Sequence, residues 1–331
     1  MKNSLFLPLV SSVLLFSFSN CSSNSNEDIT DDSVDDASVV SVEPTYFTTD
    51  NVTITTIPCT LSDGTETDCY QIVTTSVPSD HEMGPWCPDN ISDDAEAGGI
   101  WLEDGEVYDV DGAFVENLAA FYNDTNWQMY DSNGDIFVTD TEEDCENAAN
   151  PNVGDEYENF CVECLPSYIT DLSQTWVIPV TPVLQSSATL FATGPGGPPG
   201  GNTAPSTRGV ALNGIEFSAP APVDNILGAY TLAPFDDAGG HINVHQGYHY
   251  HAATEGIADR HVISQEDGHS ALIGYALDGH AIYAFEDADG NTPTDLDELR
   301  GHSDDIRGYH YHVDEAGNNN FINGLKGAYA I

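Results

Sequence analysis

A duplicated histidine motif constrains this chain of 331 residues more than any other feature of its sequence. The unit G-H-x5-G-Y-H-Y-H occurs at 240–251 and again, 61 residues later, at 301–312. Alternating tyrosine and histidine favours an extended strand, in which residues i and i+2 project from one face about 6.6 Å apart. Each copy therefore predicts a strand with two histidines on one face and two tyrosines on the other.

Two imidazoles on one face of a strand can bind a single metal ion, and the leading histidine of each unit can fold back as a further ligand. The two copies then form either one shared centre or two separate ones. Imidazole ligands without thiolate suit copper or zinc, which we predict as the cofactor. The first-rank predicted ligands are His241, His249, His251, His302, His310 and His312. The second-rank candidates are His245, His269 and His280.

The same histidine pattern has a structural interpretation. Histidines in an aromatic-rich sheet can hydrogen-bond to carboxylates and backbone, and dense negative charge raises the pKa of such histidines. The protein would then be a cell-surface interaction module that binds a glycan or another protein. The sequence does not identify which partner it binds. No G-x-S-x-G motif supports serine-hydrolase chemistry, so no catalytic residue is predicted and enzyme activity stays an open question.

Two acidic turns raise a second metal question. The segments 131–135 (DSNGD) and 287–291 (DADGN) are similar to short calcium-binding loops, which makes calcium a further candidate cofactor. Both segments lack the glycine at the sixth position and the distal glutamate of an EF-hand. Strings of this composition also form plain turns.

Composition narrows the choice of partners. The chain carries 55 acidic residues against 6 basic ones, a net charge of -49. Nucleic-acid binding and electrostatic docking to an anionic membrane are therefore excluded, because both need clustered lysine and arginine. Hydrophobic residues make up 40% of the chain, which is enough to build a core despite the charge.

The N-terminus predicts export. Residues 1–21 have the layout of a signal peptide that ends at Cys21, the position of a lipidated cysteine in a bacterial lipoprotein signal. Residues 22–44 are acidic and predict a disordered tether. We expect a cell-envelope lipoprotein, at the outer membrane or cell surface, held only by an N-terminal lipid anchor. The alternative is an ordinary cleaved signal with a chance cysteine, which would give a secreted protein.

Six further cysteines fit an oxidising compartment and predict three disulfides. The sequence alone allows 15 connectivities, and we expect the local pairs Cys59–Cys69 and Cys161–Cys164, which leaves Cys87–Cys145. The last CxxC pair has a second interpretation as a redox or metal motif.

Short alternating segments and scarce helix signals predict a mainly β protein with two β-rich lobes. Residues 45–193 form the disulfide-stapled first lobe, where 52–57 and 70–75 read as strands, and one helix is expected near 113–122. A Gly/Pro-rich loop at 194–205 leads to the His-rich second lobe at 206–331.

Several segments of the second lobe match one known pattern, namely Leu212-Asn-Gly214, Gly239-Gly-His241, Gly247-Tyr-His-Tyr-His251, Gly274-Tyr-Ala-Leu-Asp-Gly279 and Tyr309-His-Tyr-His312. In these segments the chain resembles the YHYH-domain family, which is found in secreted proteins and lipoproteins of many marine bacteria. The resemblance covers about 205–331 and implies a YHYH domain. It implies no reaction, because the biochemical role of the family is not established. His280 lies where family members often carry an aromatic residue, which weakens it as a ligand.

Overall fold

The computed structural model describes residues 39–149, 153–191 and 205–331, and in them the chain is mainly β, as predicted. The signal peptide, Cys21 and nearly all of the Gly/Pro-rich loop lie outside the described residues. The upstream elements are β1 (Val52–Thr60), β2 (Glu66–Thr74), β3 (Ile100–Glu103), β4 (Glu106–Asp109), α1 (Gly112–Phe121), α2 (Glu142–Ala148), β5 (Gln174–Pro179) and β6 (Leu184–Leu190). The downstream elements are β7 (Gly209–Ala211), β8 (Glu216–Phe217), α3 (Val223–Gly228), β9 (Gly240–Asn243), β10 (Gly247–Tyr250), β11 (Leu272–Ala276), β12 (Ala281–Tyr283), β13 (Gly301–Asp304), β14 (Gly308–His312) and β15 (Gly324–Gly327). Short 3-10 helices lie at Pro44–Tyr46, Ala95–Ala97, Asp155–Tyr157, Pro166–Tyr168, Glu255–Asp259 and Ala316–Asn318.

The upstream part of the chain forms the predicted hairpin and the predicted helix. Strands β1 and β2 pair antiparallel over nine residues each, and β5 joins them on the far side of β2. Gly64 in the connecting turn has a φ of 88°, a conformation that glycine adopts without steric cost. Helix α1 begins where the Asp111 carboxylate accepts a 2.6 Å hydrogen bond from the Phe114 N–H, as an N-cap does.

All six cysteines downstream of the signal peptide are in disulfides, but two of the three expected pairs are wrong. Cys59–Cys69 forms across the β1–β2 hairpin as predicted, whereas the other bonds are Cys87–Cys161 and Cys145–Cys164. Cys161 bridges to neighbouring extended segments on both sides, so the chain from 161 to 164 does not turn back on itself. Extended residues three apart are about 10 Å apart, beyond the reach of a disulfide. The redox or metal interpretation of this CxxC motif is therefore also wrong.

The His-rich segment folds into one eight-stranded sheet with the order β13-β14-β12-β11-β7-β8-β10-β9. Its two halves repeat each other. In one half β7 pairs antiparallel with β8, β8 pairs parallel with β10, and β10 pairs antiparallel with β9. In the other half β11, β12, β14 and β13 pair in the same pattern, and β7 and β11 join the halves antiparallel at the centre. The duplication seen in the histidine motif thus extends to four strands per copy.

The core joins the upstream and downstream parts of the chain. Ile72, Trp86 and Cys164 belong to the same buried hydrophobic cluster as Tyr248 and Tyr311 of the two YHYH strands. The boundaries drawn at 193 and 206 stay a prediction, and the packing shows that both segments contribute to one compact unit. Among the described residues no helix is long and apolar enough to cross a membrane.

Candidate metal centres

Each β-hairpin of the duplicated motif brings three histidines together. In the first hairpin His241 of β9 lies directly opposite His249 of β10, and in the second His302 of β13 lies opposite His310 of β14. The third histidine follows two residues later on the same face, as expected for an extended strand. Because β10 and β14 are five strand positions apart, about 24 Å at ordinary strand spacing, these are two separate sites.

The first site, called cluster 1 below, consists of His241, His249 and His251. Its Nε2 atoms converge, with 3.0 Å between His249 and His251 and 3.2 Å between His251 and His241. His249 is 3% exposed and His251 is 6% exposed, so two of the three rings are withdrawn from water. Phe235 packs against the rings of His241 and His251 and supports the cluster from one side.

Hydrogen bonds at Nδ1 fix how these rings are protonated. The Nδ1 of His249 is 3.0 Å from the carbonyl oxygen of Gly247, and the Nδ1 of His251 is 2.6 Å from that of Ala219. A carbonyl only accepts, so Nδ1 carries the proton and donates, and a neutral ring keeps a lone pair at Nε2. Lone pairs that face each other at 3.0 Å cannot form a hydrogen bond. A cation bound between them would be coordinated by both lone pairs.

Burial keeps the cluster 1 rings neutral. It lowers the pKa of His249 to about 4, because the charged imidazolium is poorly solvated there. Burial likewise holds the pKa values of His241 and His251 well below their ordinary range, and charge on a neighbouring ring lowers them further. Neutral imidazole is the form that binds metal, so these rings are ready to act as ligands near neutral pH.

The second site, cluster 2, consists of His269, His302, His310 and His312. The Nε2 of His310 lies 3.0 Å from that of His302 and 3.2 Å from that of His269. The Nε2 of His312 is buried without any hydrogen-bond partner, although a buried polar atom is normally paired. This orphaned nitrogen is accounted for if its partner is a metal ion.

The Nδ1 atoms of cluster 2 are anchored in the same way. His310 donates to the carbonyl oxygen of Gly308 at 2.9 Å and His312 to that of Ala284 at 3.1 Å. His302 lies 2.8 Å from the Asp295 carboxylate, the kind of outer partner that orients metal-ligating histidines. Burial lowers the pKa of His310 to about 4 and that of His312 to about 3.

Both donor sets fit a first-row transition metal. Zinc binds imidazole nitrogen at 2.0–2.1 Å, which places two nitrogens of a tetrahedral site roughly 3.3 Å apart. The Nε2 separations of 3.0 and 3.2 Å come close to that value in both clusters. The sites contain no thiolate, and nitrogen ligands of this kind suit zinc and copper.

The tyrosines hold the strands from the opposite face. Tyr248 donates a 2.6 Å hydrogen bond to Asp236, and Tyr309 donates a 2.9 Å bond to Asp297. Each aspartate also accepts from the backbone N–H of the glycine that begins the motif. This pair is not among the predicted site residues, although Asp236 and Asp297 are 61 residues apart like the histidines. With them the repeat becomes D-x3-G-H-x5-G-Y-H-Y-H.

The structure brings all six first-rank histidines into the two clusters. Of the three second-rank histidines, it brings only one into a cluster. His269 joins cluster 2, carried there by the segment before β11. His245 points to Glu146 at 3.2 Å and is mostly exposed, so it belongs to neither cluster. His280 lies beside Asp278 and the rings of Tyr309 and Tyr311, away from both clusters.

The two candidate calcium loops form self-contained turns. The Asp131 carboxylate accepts from the backbone of Asn133 and Asp135, and Asp287 accepts from Asp289 and Asn291. Among the described residues neither loop gathers three ligand groups as the histidine clusters do. The turn interpretation explains their composition.

Comparison with known proteins identifies the region that carries the first cluster. Residues 175–295 match the family described as YHYH protein. The match starts upstream of the lobe expected at 206–331 and ends before the second pentapeptide. No curated protein and no solved structure matches the chain.

Proposed function

The chain contains a YHYH domain, and from that premise we propose that it is an exported lipoprotein that binds one transition-metal ion, copper or zinc, in each histidine cluster. The supporting observation is the set of Nε2 atoms that face each other at 3.0–3.2 Å while the Nδ1 atoms of His249 and His251 are committed to carbonyl oxygens. A structural histidine network would alternate donors with acceptors. These rings instead direct acceptors at a common point.

Metal analysis of tag-free protein, purified without chelators, tests this proposal. We expect close to two equivalents of copper or zinc, and we expect added metal to raise the melting temperature of the chelator-treated protein, because a ligand that binds the folded state stabilises it. His245→Ala is the matched control, since His245 is exposed and outside both clusters. Absence of stoichiometric metal together with an unchanged melting temperature would refute metal binding and favour the interaction module.

The proposed location depends on Cys21, the only cysteine upstream of the disulfide-bonded segment. Lipidation there would tether the metal-binding unit to the envelope through the acidic residues that follow. Mass spectrometry of the N-terminal peptide from a membrane fraction is the direct test. We expect a lipid-modified Cys21, and we expect Cys21→Ala to move the protein to the soluble exported fraction. An unmodified peptide in the membrane fraction would contradict the anchor.

A further inference from the structure

Cluster 1 opens onto a cavity of about 210 Å³. All three of its histidines line that cavity, so a metal ion held by them would face the enclosed space. The lining also includes α3 and the segments on either side of it, through Ala221, Ile226 and Ala233.

The lining of the cavity defines the kind of molecule that it suits. Among the described residues no aspartate, glutamate, lysine or arginine lines it, and most of the lining side chains are apolar. A cationic ligand would lose its hydration without gaining an ionic partner, and the net charge of -49 disfavours the approach of an anion. For comparison, an engineered apolar cavity of roughly 150 Å³ holds benzene. A cavity of about 210 Å³ accordingly suits an uncharged molecule built on one ring.

One polar side chain of the cavity is held in place. Gln246 donates from its amide nitrogen to Glu216 at 2.6 Å and to Ser218 at 3.1 Å. Both hydrogens of that amide are thus committed, and only its carbonyl oxygen remains to accept from a ligand. The cavity therefore combines an apolar body with a fixed acceptor near the metal ligands.

Three protein ligands leave a coordination position free. Metal sites with three protein ligands typically take water or a substrate in the fourth position, whereas four protein ligands close a tetrahedral site. Among the described residues cluster 1 has three histidines and cluster 2 has four. The two clusters therefore differ in whether an outside donor atom can reach the metal.

We propose that the metal in cluster 1 binds an external, uncharged, single-ring molecule through a nitrogen or oxygen donor atom, within the cavity beside α3. This inference rests on the proposed metal binding. Cluster 2 binds its metal with protein ligands alone and takes no such molecule.

Cobalt(II) is a suitable probe because its visible absorption bands report changes in coordination. The protein carrying His269→Ala and His302→Ala, which disables cluster 2, is loaded with cobalt(II) and titrated with pyridine at pH 8. We expect a saturable shift of the bands. Isoquinoline presents a similar nitrogen on a two-ring body and should bind at least tenfold more weakly. Ile226→Ala enlarges the cavity and should remove most of that difference.

The reciprocal variant, His241→Ala, leaves cluster 2 intact and should show cobalt bands that pyridine does not change. Pyridine without effect on cluster 1, or isoquinoline bound as tightly as pyridine, would overturn the inference while leaving metal binding in place. Absence of cobalt bands in both variants would instead overturn metal binding itself. The two failures are therefore distinguishable.

Discussion

The two histidine clusters have the same strand arrangement but lie in different surroundings. Each has an antiparallel hairpin, a pair of facing histidines and a third histidine two residues further along the chain. Cluster 1 packs against Phe235 and faces an uncharged cavity. Cluster 2 packs against Tyr283 and lies near Arg307, which pairs with Asp267 and Asp304. The duplicated strands supply the candidate ligands, while the flanking loops determine what else can approach a bound metal.

A fourth histidine in cluster 2 is the clearest difference. His269 comes from the segment before β11, and its Nδ1 donates to the Ser270 carbonyl oxygen at 3.1 Å. Asn213 and Asp278 lie in the turn of the first hairpin of each half, where they hydrogen-bond to Tyr250 and Tyr311 respectively. These equivalent residues show that the first hairpins of the two halves are offset by 65 residues. By that offset the position equivalent to His269 is residue 204, which is alanine and lies outside the described residues. Cluster 1 therefore does not gain its fourth imidazole from the equivalent position.

Removing one buried histidine from each cluster is the strongest way to separate them. His251→Ala should abolish metal in cluster 1 and His312→Ala in cluster 2, each with an affinity loss of at least about 100-fold at that site, since loss of outer-shell partners alone typically costs 10–100-fold. Metal content should fall from two equivalents to one in either variant and to none in the double variant. Retention of two equivalents in either single variant would show that the clusters are not the sites.

The fourth ligand should make cluster 2 the tighter site. His269→Ala reduces it to three histidines, and we expect its affinity for zinc to fall on the order of 10–100-fold, towards that of cluster 1. Competition with a chromophoric chelator measures both affinities in one titration. His269 is half-buried, so a small cavity is the main structural cost. Equal affinities of the two clusters in the unmodified protein would contradict the role given to His269.

Much of this arrangement could be predicted from the sequence, because it repeats with a fixed spacing. The spacing of the YHYH units predicted the strands, the face on which the histidines lie and six of the seven clustered histidines. His269 lies outside the repeated unit, so the sequence makes it only a second-rank candidate, and its position in the folded sheet brings it into cluster 2. Two predicted disulfide pairs are wrong for a related reason. Cys161 and Cys164 are close along the chain, but the extended backbone between them keeps their side chains apart. Each instead bonds to a cysteine from a distant segment that packs beside it.

The aspartates behind the tyrosines should matter unequally in the two halves. Asp236 is fully buried and accepts from Tyr248, Gly240 and Ala238, whereas Asp297 is exposed. Asp236→Asn should therefore lower the free energy of unfolding by about 1–3 kcal/mol, since it leaves a buried donor without its acceptor, and Asp297→Asn by less than about 1 kcal/mol. Urea denaturation of metal-free protein measures both. Equal losses of unfolding free energy in the two variants would mean that the burial of the aspartate does not determine how much the Tyr–Asp hydrogen bond stabilises the fold.

Acid should destabilise the metal-free protein through the buried imidazoles. Unfolded histidine takes up a proton near pH 6.5, whereas burial lowers the pKa of folded His249 to about 4. The unfolded state therefore binds more protons between these values, and stability that is fully present above pH 6.5 is progressively lost as the pH falls towards 4. Melting temperatures of metal-free protein and of His249→Gln, measured at several pH values over this range, isolate the effect. The loss should be smaller by a few degrees in His249→Gln, and parallel curves would indicate that His249 is already protonated in the folded protein.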